Sequence, residues 1–222
     1  MQTFTTPTPV TAVLDIPAGR IQVIAANRAD TTVEVLPFDA AKGRDVKAAE
    51  RITVSYGDGV LRIEAAKPAN ALLGSSGYVE VTVQLPAGSS VEAKAASAEL
   101  RGVGRLGDVT VEAAGGSVQL DETANAHLTL QNGGITVGRL GGSAQLSTQK
   151  GDLSVTEATG GTVELNTGHG SISVGAAPGT AASLDAGTSF GRVHNALATT
   201  GGGTALSIHA TTAHGDITAR TL

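Results

Sequence analysis

The chain contains no cysteine and no tryptophan, and only three Phe and two Tyr among its 222 residues. Without thiols it has no disulfide framework, no thiolate metal site and no cysteine nucleophile. With aromatics at 2%, large rings cannot fill the core as they do in most globular domains. Charge of one sign is also scarce: the formal net charge is −5 and no block of like charges occurs. Such a chain lacks the basic footprint of a nucleic-acid binder and the basic face that anionic lipid attracts. No window approaches the ~20 apolar residues of a membrane-spanning helix, so membrane insertion is not expected. The opening MQTFTTPTPV is neither a secretory leader nor a myristoylation signal. The expectation is a cytoplasmic chain, reaching the cell surface only by an unrecognised route.

What remains is aliphatic and rich in glycine. Hydrophobic residues make up 41%, and 30 residues are Gly. Val, Leu, Ile and Ala suit a thin core of stacked aliphatics, and Gly supplies the backbone freedom of many tight turns. From about Val109 onward an apolar-polar-apolar triplet recurs, starting at Val109, Val118, Leu128, Ile135, Ala144, Leu153, Val163 and Ile172. Every second triplet gives Ile135, Leu153 and Ile172, separated by 18 and 19 residues; the alternate set of Leu128, Ala144 and Val163 is separated by 16 and 19. Turns repeat with them. Gly141-Gly-Ser-Ala-Gln-Leu146 is echoed by Gly160-Gly-Thr-Val-Glu-Leu165, and Lys150-Gly-Asp-Leu-Ser-Val155 by His169-Gly-Ser-Ile-Ser-Val174. A weaker copy covers Ser183–Val193, and a last clear one is His214-Gly-Asp-Ile-Thr-Ala219.

A fixed period near 20 residues is the signature of a solenoid. In a triplet strand the outer two residues point one way and the middle one points the other. Valines, leucines and isoleucines therefore face inward, and Thr110, Gln119, Thr136, Gln145, Ser154 and Glu164 are among those facing out. The fold expected is all-β: a single-domain β-solenoid (β-helix) with two-strand coils of ~18–19 residues in the C-terminal half. Residues 1–97 read as a less regular β-rich N-terminal part, coils or a cap, and residues 98–222 as the regular repeats, in one continuous domain. The N-terminal strand candidates are Val10–Ile16, Arg20–Ala25, Thr32–Leu36, Arg51–Tyr56, Val60–Ala65 and Tyr78–Leu85. Gly57-Asp-Gly59 is a hairpin turn. Asp39–Glu50 reads as a loop or one weak helical turn, and Ala71–Gly77 as a flexible excursion. Pro17, Pro37, Pro68 and Pro86 sit where strands should end.

The phrases Asp15-Ile-Pro-Ala-Gly-Arg-Ile-Gln-Val23 and Val83-Gln-Leu-Pro-Ala-Gly-Ser-Ser-Val91, followed by Gly-x-hydrophobic-x-hydrophobic repeats, resemble the bacterial β-strand-repeat family described as adhesins. That is a family of domains of unknown function, and the resemblance covers nearly the whole chain. It implies a β-helix-like fold and no known enzyme activity. It carries over no site residues.

Motifs for chemistry are sparse. Gly102-Val-Gly-Arg-Leu-Gly107 has the letters of a dinucleotide fingerprint, but an alternating strand, Asp108-Val-Thr-Val-Glu112, follows it where a helix is required. The five histidines are His127, His169, His194, His209 and His214; a turn column of Asn132, Lys150, His169 and His214 places two of them in equivalent positions, expected to lie two or more coils apart. No ligand set for a metal follows from that spacing. Asp108, Asp121, Asp152, Asp185 and Asp216 are spaced as turn formers rather than as a catalytic carboxylate pair. There is no G-x-S-x-G elbow and no P-loop. No catalytic, cofactor-binding or metal residue is assigned, and no cofactor is expected.

The reading is a non-catalytic structural or interaction protein. It would meet protein partners, or copies of itself, through coil ends or faces, the exposed end being Ile217–Leu222 with Arg220 as a guarding charge. The alternative is an adhesin-like module binding glycan through the outward ladder of Thr136, Gln145 and Ser154.

Overall fold

The computed structural model describes residues 1–66, 77–198 and 206–222. The described residues are all-β apart from one short helix. The first strands are β1 (Gln2–Thr5), β2 (Thr11–Asp15), β3 (Ala18–Ala26) and β4 (Asp30–Pro37), followed by helix α1 (Gly43–Glu50). Next come β5 (Ile52–Gly57), β6 (Val60–Ala65), β7 (Val79–Pro86) and the long β8 (Ser90–Asn132). The remainder is β9 (Ile135–Leu140), β10 (Ala144–Lys150), β11 (Leu153–Ala158), β12 (Gly161–His169) and β13 (Ile172–Ala176). It closes with β14 (Ala182–Phe190), β15 (Val193–Ala196), β16 (Leu206–His214) and β17 (Ile217–Thr221).

The six N-terminal strand candidates all form. β5 and β6 pair antiparallel with Gly57 opposite Val60, and the turn between them has positive φ at Asp58 and Gly59, as a two-residue hairpin requires. Pro17 separates β2 from β3, and Pro37 and Pro86 end β4 and β7. β1 is additional, and Asp39–Glu50 is better ordered than a weak turn, holding the eight-residue α1. Pro68 and residues 71–76 lie outside the described residues.

Pairings fall into two ladders. One contains β5, β6, β2, β10, β12, β16 and β14. The other contains β1, β4, β7, β3, β9, β11, β13, β17 and β15. β8 serves both, through residues 90–94 and 126–132 in the first and 97–103 and 118–123 in the second. The pairs of β2 and β3 and those among β8 to β17 are parallel, with a register shift between Val155 and Ala158 of β11; Ile135 meets Leu153, which meets Ile172. In the other ladder Ala144 pairs with Ala126, not Leu128, so the true step there is 18 residues. The triplet beginning at Leu128 is the second half of a longer alternating strand whose first inward residue is the small Ala126.

Inward residues of both ladders form one cluster that includes Leu14, Ile21, Leu100, Leu128, Ile135, Leu146, Leu165 and Ile208. Each strand alone exposes its apolar row. Parallel stacking at ~4.8 Å buries these rows and satisfies the backbone groups at once.

The order of the last strands departs from chain order. β16 pairs with both β12 and β14, and β17 with both β13 and β15. The C-terminal segment Ile217–Leu222 is therefore interior to the ladder and is not the exposed edge; β14 and β15 are. The inward side chains explain the inversion. β16 and β17 supply Leu206, Ile208, Ala210, Ile217 and Ala219, all buried. The weaker copy offers Ala182, Leu184, Ala186 and Val193, and Asn195 stands where β17 has Ala219. Burying an amide without full partners costs about 1–3 kcal/mol. The apolar copy takes the interior place, and the copy carrying Asn195 takes the wet end.

Candidate functional site

The two ends of the stack are finished differently. At the N-terminal end β5 and β1 are the outer strands, and Phe4 of β1 meets Tyr56 of β5 with ring centroids 5.5 Å apart. β1 and β5 also pair on one side only among the described residues, and the partly buried Phe4 and Tyr56 cover the core between them. At the other end β14 and β15 each pair on one side only among the described residues. Leu184 and Ala186 are half-buried, Val193 is 45% exposed and Phe190 68%. This end presents two unpaired strand edges with apolar side chains beside them.

One corner between the ladders is built from glycine. Gly133, Gly151, Gly170, Gly215 and Gly191 stand in a column, each with positive φ. A Cβ on Gly170 would collide with the carbonyl oxygen of Gly151, and one on Gly191 with that of Gly215. Threonines brace the corner, and Thr148, Thr167 and Thr212 among them are buried. The hydroxyls of Thr148, Thr167, Thr212 and Thr188 donate to the carbonyls of Gly133, Gly151, Gly170 and Gly215, at 3.1, 3.0, 3.0 and 3.0 Å. Sequence reasoning missed these threonines; their signal is a Thr two residues after the second apolar position of the triplets starting at Ala144, Val163, Leu184 and Ile208.

Asp152 and Asp216 lie in turns as expected, whereas Asp108 and Asp121 lie within β8 and Asp185 within β14. Asp152 accepts from the backbone N–H of Ser171 at 2.7 Å, and Asp216 from that of Arg192 at 2.8 Å. Asp108 accepts from the Asn125 amide at 2.8 Å. Asp121 pairs with Arg101 and accepts from the Gly104 N–H. Asp185 lies 3.6 Å from His209. Each carboxylate is spent on the neighbouring strand, and the structure does not bring two of these acids together across a cleft. The Gly102–Gly107 motif lies inside β8 with strand on both sides.

The histidine column departs from the sequence expectation. Because β16 sits directly on β12, His169 and His214 are register partners, and their rings stack at 4.6 Å. Phe190 continues the stack at 4.9 Å from His214. The expectation of two or more coils between them assumed strands stacked in chain order. No group of three or more His, Cys, Asp or Glu that could hold a metal occurs among the described residues.

The outward ladder is divided. Thr136 and Ser154 are register neighbours, whereas Gln145 belongs to the other ladder, between His127 and Glu164. A shallow groove of about 270 Å³ runs beside Gln145, between Ser143, Thr162 and Glu164. No helix among the described residues is long and apolar enough to cross a membrane.

The model of the family described as Toastrack DUF4097 matches residues 9–220. No curated protein matches the chain. Similar solved structures include a candidate adhesin from Bacteroides fragilis, at 14% identity and a TM-score of 0.48, covering 98% of this chain and 95% of that one. A candidate cell adhesion protein from Clostridium sporogenes has 12% identity and a TM-score of 0.40, with 100% and 98% covered. A candidate lipid-binding protein from Parabacteroides distasonis has 12% identity and a TM-score of 0.44, with 98% and 95% covered.

Proposed function

This chain belongs to the Toastrack DUF4097 family, and from that premise we propose that it is a non-catalytic interaction protein: a rigid β-solenoid that assembles end to end with a second copy. In this reading residues 1–97 supply the closed end and residues 98–222 the regular coils, in one continuous domain. The observation that carries it is the pair of edges at β14 and β15, unpaired among the described residues and flanked by Phe190 and Val193. A sheet edge is a row of unused donors and acceptors, and proteins either blunt it or use it. Here the edge carries no lysine, no proline and no bulge. A two-fold axis across this end sets the strands of two copies antiparallel, which is sound ladder geometry, and makes the contact self-complementary and closed.

The fate of the acids supports a non-catalytic role. Asp108, Asp121, Asp152 and Asp216 serve neighbouring backbone or side-chain groups, which leaves them poor candidates for acid-base chemistry.

Light scattering after size exclusion, over a wide range of protein concentration, tests the reading. A mass that climbs from the 22.0 kDa of one chain to a dimer, and that Val193→Lys holds at monomer, is the expected result. A wild-type mass that stays at one chain throughout overturns it.

A further inference from the structure

Two of the five aromatic residues, Phe38 and Tyr78, are surface-exposed at 50% and 42%, and they stand side by side with ring centroids 6.2 Å apart. Both are held by the backbone. The Phe38 N–H donates to the Tyr78 carbonyl at 3.0 Å, and the Tyr78 N–H donates to the buried carboxylate of Asp45 on α1 at 3.0 Å. Together with α1 they wall a groove of about 350 Å³ whose other sides are Arg20, Lys42, Arg44 and Glu99. That volume falls at the small end of the range for small-molecule sites, about 300–1,000 Å³. The floor is smooth, formed by Gly19, Ala98 and Gly116 at the corner between the ladders.

The charges of this groove come in matched pairs. Arg20 lies 3.8 Å from Glu80 and 3.4 Å from Glu99, and its guanidinium sits 5.6 Å from the centre of the Phe38 ring. Lys42 pairs with Asp39 at 3.0 Å and Arg44 faces Asp45 at 3.6 Å. Each basic group of the lining has a carboxylate within 4 Å, so the groove offers little uncompensated charge of either sign. A neutral ring with an apolar face and a hydroxyl edge satisfies both features. Its C–H face lies on the aromatic pair, and its hydroxyls donate to Glu99 and accept from the guanidinium groups.

We infer that the groove between α1 and the β3–β7 corner is a binding site for a neutral saccharide. It is distinct from the outward Thr136, Gln145 and Ser154 ladder and from the β14–β15 end, and it needs no second copy.

The experiment is retention on an array of neutral, acidic and sulfated oligosaccharides, with phosphatidylglycerol vesicles as a further arm. Neutral oligosaccharides are retained. Phe38→Ala or Tyr78→Ala weakens binding about tenfold, the loss expected for one stacked ring. Tyr78→Phe keeps the ring and restores binding, while Thr136→Ala leaves it unchanged. Thermal unfolding followed by circular dichroism shows that each variant is folded. Adding the retained oligosaccharide shifts the ring protons of Tyr78 and not those of Tyr56. Retention only of acidic or sulfated sugars, binding only to vesicles, no retention at all, or neutral-sugar binding that survives the loss of both rings overturns the inference.

Discussion

The closed end and the open end are built on the same parallel ladders, yet they solve opposite problems. At the closed end the chain reverses direction. β5 returns antiparallel on β6, β4 runs antiparallel on β7 and β1 antiparallel on β4, and Phe4 and Tyr56 meet across the gap. All but one of the chain's five aromatic residues lie in this part. At the open end the chain instead adds one more parallel circuit, β14 and β15, and leaves its inward row half wet. An end of a parallel strand stack needs either a change of strand direction with bulky cover or a circuit that tolerates water. This molecule uses one at each end.

The contrast can be broken most forcefully at the glycine corner. Gly170 is flanked by strands on both sides, so Gly170→Ala forces a side chain against the Gly151 carbonyl in the middle of the stack. We expect a loss of about 3 kcal/mol or more, read by chemical denaturation. Gly191→Ala makes the same collision with Gly215, but the outermost circuit can yield, so its cost is smaller. Equal costs would mean that β14 and β15 are as firmly held as the interior.

A truncation pair comes next in size. Leu165 is fully buried, and Leu165→Ala should cost about 3 kcal/mol. Leu184 stands in register with Ile208 but is half-exposed, and Leu184→Ala should cost about 1 kcal/mol. Excision sharpens the comparison further. Removing residues 178–204 leaves two residues between β13 and β16, as between β11 and β12. Because β16 and β17 already sit on β12 and β13, the shortened chain should still unfold cooperatively. Loss of folding would contradict the inverted order.

The smallest expected effect is at the closed end in acid. The Lys42 side chain, and then the Ala41 backbone N–H, hold the Asp39 carboxyl below its ordinary value of 3.8. The pair therefore stabilises the fold fully above the ordinary aspartate range, and the contribution is lost as pH falls through the lowered value. In a carbon-detected NMR titration, Lys42→Ala should move the Asp39 midpoint upward.

Much of the ladder was legible because its signals are local. Alternation marked Val60–Ala65, the Gly57–Gly59 turn fixed a hairpin, and the spacing of Ile135, Leu153 and Ile172 matched the register. The order of the last circuits was not legible. Residues 182–196 and 206–221 carry the same register, and only differences at single inward positions, Ala182 against Leu206 and Asn195 against Ala219, separate them. That error alone displaced His169 from His214 and misplaced the free edge at Ile217–Leu222. The groove at Phe38 and Tyr78 was hidden for another reason. It depends on Asp45 reaching a backbone N–H 33 residues away, and no short motif encodes such a contact.

Amide hydrogen exchange at low and high protein concentration reads directly whether this protein works through its open end. Protection should rise with concentration at β14 and β15 and nowhere else. Protection that is unchanged there, or that rises instead at β1 and β5, would contradict it.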